Sequence, residues 1–204
     1  MSDDITVRTP SPRPPPHADA FTAFMHAYQD MVFTTAARLA GSDETARDIA
    51  QEVFLRAYQH FDALRESPSV GGWLKTVTTN LTLNHLMRYR KRWRFLSELF
   101  ASDSALEQLE ALEALAPTAA LDAQFRTLDA AERQSQLERA LADLPVQQRV
   151  PLVLYHFEDM PYQQIASQLG ISLAKVKTDI LRGRLALARR LAGSELAPQP
   201  GVSS

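Results

Sequence analysis

Residues 162–190 read YQQIASQLGISLAKVKTDILRGRLALARR, and the spacing in this stretch decides the fold of the C-terminal part. A helix-turn-helix needs a small residue in its first helix, where the second crosses close by. It also needs a glycine at the turn, where φ is positive, and a buried aliphatic residue in the second helix. Ala166, Gly170 and Val176 supply these in order. Ser172 is placed to cap the second helix. Val176, Ile180, Gly183, Leu187 and Leu191 then form its inner stripe. Lys177, Thr178, Leu181 and Arg182 are left on the opposite face, with Ser172 and Lys175 at the start of the helix, an arrangement suited to the major groove of DNA. An ordinary helical hairpin with a solvated basic face is the rival reading.

Working outward, LERALADLPVQQRVPLVLYHFEDMPYQQIA precedes the turn. Leu137, Ala140, Leu141 and Leu144 define one amphipathic helix, Pro145 opens the next, and Pro151 falls inside it, which removes a backbone donor. Nearer the N-terminus, Phe21, Phe24, Met25, Tyr28, Val32, Ala36 and Leu39 recur at helical spacing and stop at Gly41. Ser42 or Asp43 can cap a second helix with Ala46, Ile49, Ala50, Val53, Phe54, Ala57 and Phe61 on one face. A loop around residues 67–72 is expected next, then a third helix from Trp73 to about Arg94. No strand alternation of useful length occurs. The fold class expected is all-α, two small helical domains joined by a long acidic linker. The boundaries read as a Pro-rich tail over 1–18, a first domain over 19–96, a linker over 97–134, a second domain over 135–193 and a tail over 194–204.

The chain has 204 residues, 45% hydrophobic and 23% charged, with no cysteine. Disulfides, thiolate metal sites and cysteine nucleophiles are therefore excluded. The five histidines are scattered, with no metal-ligand spacing, and the seven glycines form no phosphate loop. No metal, cofactor or enzymatic activity is expected. The N-terminus lacks the basic start and apolar core of a secretion signal, and no apolar run is long enough to span a bilayer. A cytoplasmic protein with no membrane insertion is the expectation. The net charge of -2 hides a segregated distribution. Arg88, Arg90, Lys91, Arg92 and Arg94 crowd one stretch, and Lys175, Lys177, Arg182, Arg184, Arg189 and Arg190 another. Between them lies an acidic span, an asymmetry that suits a modular nucleic-acid binder.

Here the motifs meet a known pattern. The LP-x-x-x-R run at Leu144–Arg149, followed by an aliphatic helix and the helix-turn-helix, resembles region 4 of sigma factors. The resemblance implies binding to the minus-thirty-five promoter element and docking on the flap of the RNA polymerase β subunit. The stretch AFTAFMHAYQDMVFTTAARLAGSDETARDIAQEVFLRAYQHF, residues 20–61, resembles sigma regions 2.1 and 2.2 of the extracytoplasmic-function group. Its Asp48, Gln51 and Glu52 would meet the coiled-coil clamp of the polymerase β′ subunit. Next, GGWLKTVTTNLTLNHLMRYRKRWR resembles regions 2.3 and 2.4. Trp73, Asn80, Asn84, Arg88 and Lys91 share one side of a helix, an aromatic, two amides and two cations that suit unstacked single-stranded DNA of the minus-ten element. Trp73 reads equally well as a core residue.

The resemblance covers residues 19–96 and 135–193. The absence of a domain between them points to the extracytoplasmic-function group. Lys75, Thr76 and Val77 stand where the family has aromatic and basic residues, so base preference is left open. Asp179 stands where a basic residue is common, and is expected at the edge of the DNA face. The implied partners are RNA polymerase core, promoter DNA and, as a candidate, an anti-sigma factor. The implied function is promoter recognition, DNA melting and transcription initiation. The alternative is a helix-turn-helix regulator acting on duplex operator DNA.

Overall fold

The computed structural model describes residues 18–88 and 130–193. Among the described residues there are eight helices and no strand: α1 (Ala18–Ala40), α2 (Asp43–Gln59), α3 (Phe61–Leu64), α4 (Val70–Arg88), α5 (Ala130–Ala142), α6 (Val146–His156), α7 (Tyr162–Leu169) and α8 (Leu173–Gly193). The expected N-terminal tail through residue 17, residues 89–129 and the C-terminal tail lie outside the described residues. The last residues assigned to the linker, 130–134, belong to α5.

Helix α1 runs its apolar stripe inward and stops at Gly41, which adopts φ +67 while its N–H bonds the Ala37 carbonyl. That conformation suits glycine at a helix C-terminus. Ser42 then caps α2 through its hydroxyl to the Thr45 N–H. Phe21, Phe24, Ile49, Val53, Phe54, Phe61 and Leu74 build the first core. Phe21 and Phe24 both stand edge-on to Phe61, with ring centroids 5.1 and 5.4 Å away, a favoured aromatic geometry.

The expected loop over 67–72 is shorter than the sequence reading has it. Helix α4 begins at Val70, and the Trp73 N–H already bonds the Ser69 carbonyl. Gly71 and Gly72, read as loop formers, lie instead in the first turn of α4. Further along, Thr78, Thr79 and Thr82 are buried. Thr78 donates to the Leu74 carbonyl at 2.7 Å and Thr82 to the Thr78 carbonyl at 2.8 Å. These two hydroxyls thus find their acceptors on their own helix, while Thr79 Oγ1 donates to a Glu158 carboxylate oxygen at 3.5 Å.

The second unit packs α5, α6, α7 and α8 around Leu141, Leu144, Val150, Leu152, Val153, Leu154, Ile165, Leu169, Val176 and Ile180. Helix α6 runs through Pro151. Leu39 of α1 and Leu83 of α4 belong to this second core and are 0% and 3% exposed. Burying two such leucines is worth about 1.5–3 kcal/mol each before entropy. The two units therefore share an interior.

Arg149 fastens the joint. It is 6% exposed, and its guanidinium donates to the carbonyls of Ala142 and Leu144 in its own half and of Leu39 and Ala40 across the joint. Burial pulls its pKa down, yet four acceptors keep the charge solvated by dipoles. Beside it, Arg38 forms an ion pair with Glu138 at 2.6 Å and lies over the Phe157 ring at 4.3 Å.

Candidate nucleic-acid and partner interfaces

Helix α4 presents Asn80 and Asn84 outward, and both are exposed. Trp73 is half-buried: it packs on the first core and meets His60 edge-on at 6.4 Å. The core reading thus holds for the part of the ring that packs on the first core. The helix ends at Arg88, whose side chain lies outside the described residues, as does all of Lys91. Toward the second half, the same helix offers Lys75 and Thr79. Lys75 Nζ donates to the Phe157 carbonyl at 2.7 Å and stands 3.5 Å from a Glu158 carboxylate oxygen. The Glu158 side chain is only 7% exposed. Burial raises its pKa, against the opposing pull of Lys75, Thr79 and Arg38. A cavity of about 680 Å³ lies between the two halves here, lined by Gly72, Lys75, Asn80, Glu158, Gln164 and Gln168 among others.

Helix α2 exposes Asp48 and Gln51, while Glu52 is half-buried and accepts from Arg56 Nε at 2.8 Å. Sequence reasoning took this face as polar and missed its apolar neighbour. Phe21, Met25, Phe33, Phe54, Leu55 and Tyr58 line a groove of about 680 Å³ between α1 and α2, with Gln51 at its edge. Met25, Leu55 and Tyr58 are exposed there. The available signal was that Leu55 and Tyr58 are large apolar residues off the inward stripe of α2, where a solvated helix carries polar ones.

The helix-turn-helix has the expected geometry. Gly170 takes φ +63 at the turn, the Ile171 N–H bonds the Ala166 carbonyl, and the Ser172 hydroxyl accepts from the Lys175 N–H at 3.2 Å. Ser172 and Lys177 are exposed, and Arg182 is half-buried. Lys175, Thr178 and Leu181, expected on the open DNA face, are instead buried, Thr178 and Leu181 at 4% and 5% exposure. Asp179 is not at an edge. It is buried and bonded to Lys175 Nζ one turn earlier, which removes both side chains from solvent as a pair. Burial still raises the Asp179 pKa, over the pull of Lys175 and Arg182. Thr178 turns its hydroxyl onto the Ala174 carbonyl. Among the described residues no three acidic or histidine side chains gather as a metal site, and no helix is long and apolar enough to cross a membrane.

Residues 24–94 match the family model described as Sigma-70 region 2, and residues 134–187 match that of Sigma-70, region 4. Together the two matches span more than half of the chain. The ECF RNA polymerase sigma factor SigW of Bacillus subtilis is 27% identical over 175 residues, covering 85% of this chain and 89% of that protein. The ECF RNA polymerase sigma factor SigE of Mycolicibacterium smegmatis is 31% identical over 165 residues, 81% of this chain and 59% of that protein. Among solved structures, a complex of the sigma factor RpoE with the anti-sigma factor NepR from Bartonella quintana aligns with a TM-score of 0.45 at 19% identity. That alignment covers 86% of this chain and 98% of the matched one.

Proposed function

Because this chain belongs to the sigma-70 family of transcription initiation factors, as a member of its extracytoplasmic-function branch, we propose that its two halves divide promoter work between them. Helices α1 and α2 bind RNA polymerase core, with Asp48, Gln51 and Glu52 giving register and charge and the Met25–Leu55–Tyr58 groove supplying the apolar area. The outer side of α4 captures the unpaired minus-ten strand. Asn80 and Asn84 read exposed base edges, the outer part of Trp73 offers a stacking surface, and Arg88 and Lys91 hold phosphates. The helix-turn-helix reads duplex DNA at the minus-thirty-five element through Ser172, Lys177 and Arg182. The protein acts in the cytoplasm, where polymerase and promoter meet.

One observation carries this reading: two amides stand exposed in mid-helix on α4, where amides are poor helix formers, in a chain that also holds a helix-turn-helix. Melting draws its free energy from binding the opened strand. The test is co-purification with core polymerase, followed by abortive transcription on a promoter library. Core-dependent initiation is the expected result. Tight binding to a duplex operator by the chain alone, without core association, would refute it.

A further inference from the structure

We propose that Asp179 is an internal counter-ion of the recognition helix: it holds Lys175 off the phosphates of duplex DNA and limits how tightly α8 grips DNA of any sequence. The inference rests on the reading of α8 given above and deepens it. Its starting point is the ammonium of Lys175, which bonds the Asp179 carboxylate one turn later in the same helix. Both side chains are nearly sealed, 11% and 5% exposed.

A helix turns about 100° per residue, so Lys175, Asp179 and Arg182 fall within about 60° of one another on one flank of α8. Asp179 thus stands between two cations. It is bonded to the first, and the field of the second favours its charged form. Lys177 lies roughly 160° round the helix from Asp179 and is exposed, while Arg182 is half-buried. The neighbours Val176 and Ile180 are anchored in the second core, which fixes the rotation of the helix and with it the place of the pair.

Neither charge would stay in this position alone, because a buried ion needs a partner. Together they add no net charge to the helix. A released Lys175 would act differently. Its four-carbon stem can pass along apolar neighbours and set the ammonium in water, where it grips a phosphate as a point charge. Phosphate contacts position a protein and carry no sequence information, whereas base contacts specify. Binding to random DNA consists almost wholly of the phosphate contribution. By withholding one cation, Asp179 keeps this indiscriminate grip low and leaves more of the chain able to join polymerase core. Asp179 is then a positioning residue that acts through Lys175 and touches no base itself.

The full chain is titrated with a labelled short duplex of random sequence at several potassium chloride concentrations. Asp179→Asn should steepen the fall of log affinity with log salt by about 0.9, one more phosphate contact, which amounts to about eightfold in affinity between 1 M and 0.1 M salt. Lys175→Met/Asp179→Asn should return the slope of the parent, since the released cation is gone. The sequences that each chain selects from a randomised duplex pool should be the same, because a phosphate contact favours no base. A pair with a merely structural role would change stability and leave the slope alone.

The proposal is overturned if Asp179→Asn keeps the parent slope. It is equally overturned if the double variant keeps the steeper one, for then the aspartate had acted on DNA through its own charge. A changed preference at one base pair in Asp179→Asn would assign Asp179 to a base and overturn it too. Should Asp179→Asn lose helix content by circular dichroism, the parent decides: acetic anhydride should modify Lys175 far more slowly than Lys177, and equal rates refute the masking. If the parent and every variant fail to bind duplex at any salt, the reading of α8 itself falls. A flat comparison with the parent still binding sinks the counter-ion alone.

Discussion

Arg149→Ala removes the fastening between the halves, and its cost can be worked from the distances. The guanidinium donates to the carbonyls of Leu39, Ala40, Ala142 and Leu144 at 3.3, 2.7, 3.0 and 2.9 Å. A bond from a charged donor is worth about 1.5–3 kcal/mol, and a buried acceptor left empty costs about 1–3 kcal/mol. Two of the four bonds are only part-buried, so water recovers part of their loss. The desolvation that depresses the Arg149 pKa is also relieved. The balance is a loss of about 3–4 kcal/mol, or about 10 °C in Tm for a chain of this size.

Gly41 supplies the control. A Cβ there would stand 2.3 Å from Cζ of Arg149, and its φ is +67. Gly41→Ala in the parent therefore carries about 1 kcal/mol of backbone strain and also dislodges the guanidinium. With Arg149 already alanine, only the strain remains. Urea denaturation of the parent, both single variants and the double variant should give a coupling of about 2–3 kcal/mol. Costs that add to within about 0.5 kcal/mol, as distant sites do, would show that Arg149 and Gly41 do not share one clamp.

Asn80→Ala should impair strand opening while leaving affinity for core polymerase unchanged, and permanganate footprinting of promoter complexes checks it. Arg182→Ala should weaken use of promoters that depend on the upstream element and lower the salt slope of binding by about one phosphate contact. Leu55→Asp should weaken core binding by at least about tenfold, since one charge in an apolar contact costs more than 1.4 kcal/mol; competition against a labelled sigma factor reads it. A pH response of folding stability follows from Glu158, whose pKa is raised in the folded chain by burial, against Lys75 of α4 and Arg38 of α1. Its contribution to stability is fully present below the ordinary carboxylate range and is lost as pH rises through the raised value. Glu158→Gln should thus gain stability at neutral pH relative to the parent and flatten this part of the pH profile, as read by urea denaturation at several pH values.

Local chemistry made part of this legible from sequence. Ala166, Gly170 and Val176 report a helix-turn-helix because each is demanded by backbone geometry within a few residues of itself. Gly41 and Ser42 mark a boundary for the same reason. Long-range matters were not readable. Leu39 and Leu83 sit in the apolar periodicity of their own helices, and periodicity says that a face is buried without saying which body buries it. The burial of Thr178 and Leu181 escaped for the same cause: a strong inner stripe on α8 left the opposite face to be read as open. Lys175 and Asp179 are spaced for an intrahelical pair, a signal present in the sequence and outweighed there by the expectation of DNA. The groove at Met25, Leu55 and Tyr58 needs two helices side by side before it exists.

Helix α4 shows how the joint is built. One side gives Leu74, Val77 and Leu81 to the first core. The side turned to the other half is graded: Lys75 and Thr79 at one end bond the Phe157–Glu158 turn, and Leu83, Leu86 and Met87 at the other join the second core. A stripe wholly of leucine would fuse the halves, because exposing it would cost the full transfer free energy of each side chain. A stripe wholly of ionised groups would favour water and never close. Inter-domain contacts that move are more polar than permanent ones, and this gradient lies between the extremes. The polar end carries Asn80, whose side-chain oxygen accepts from Gln168 of α7, so one of the two amides assigned to the opened strand lies at the polar end of the joint.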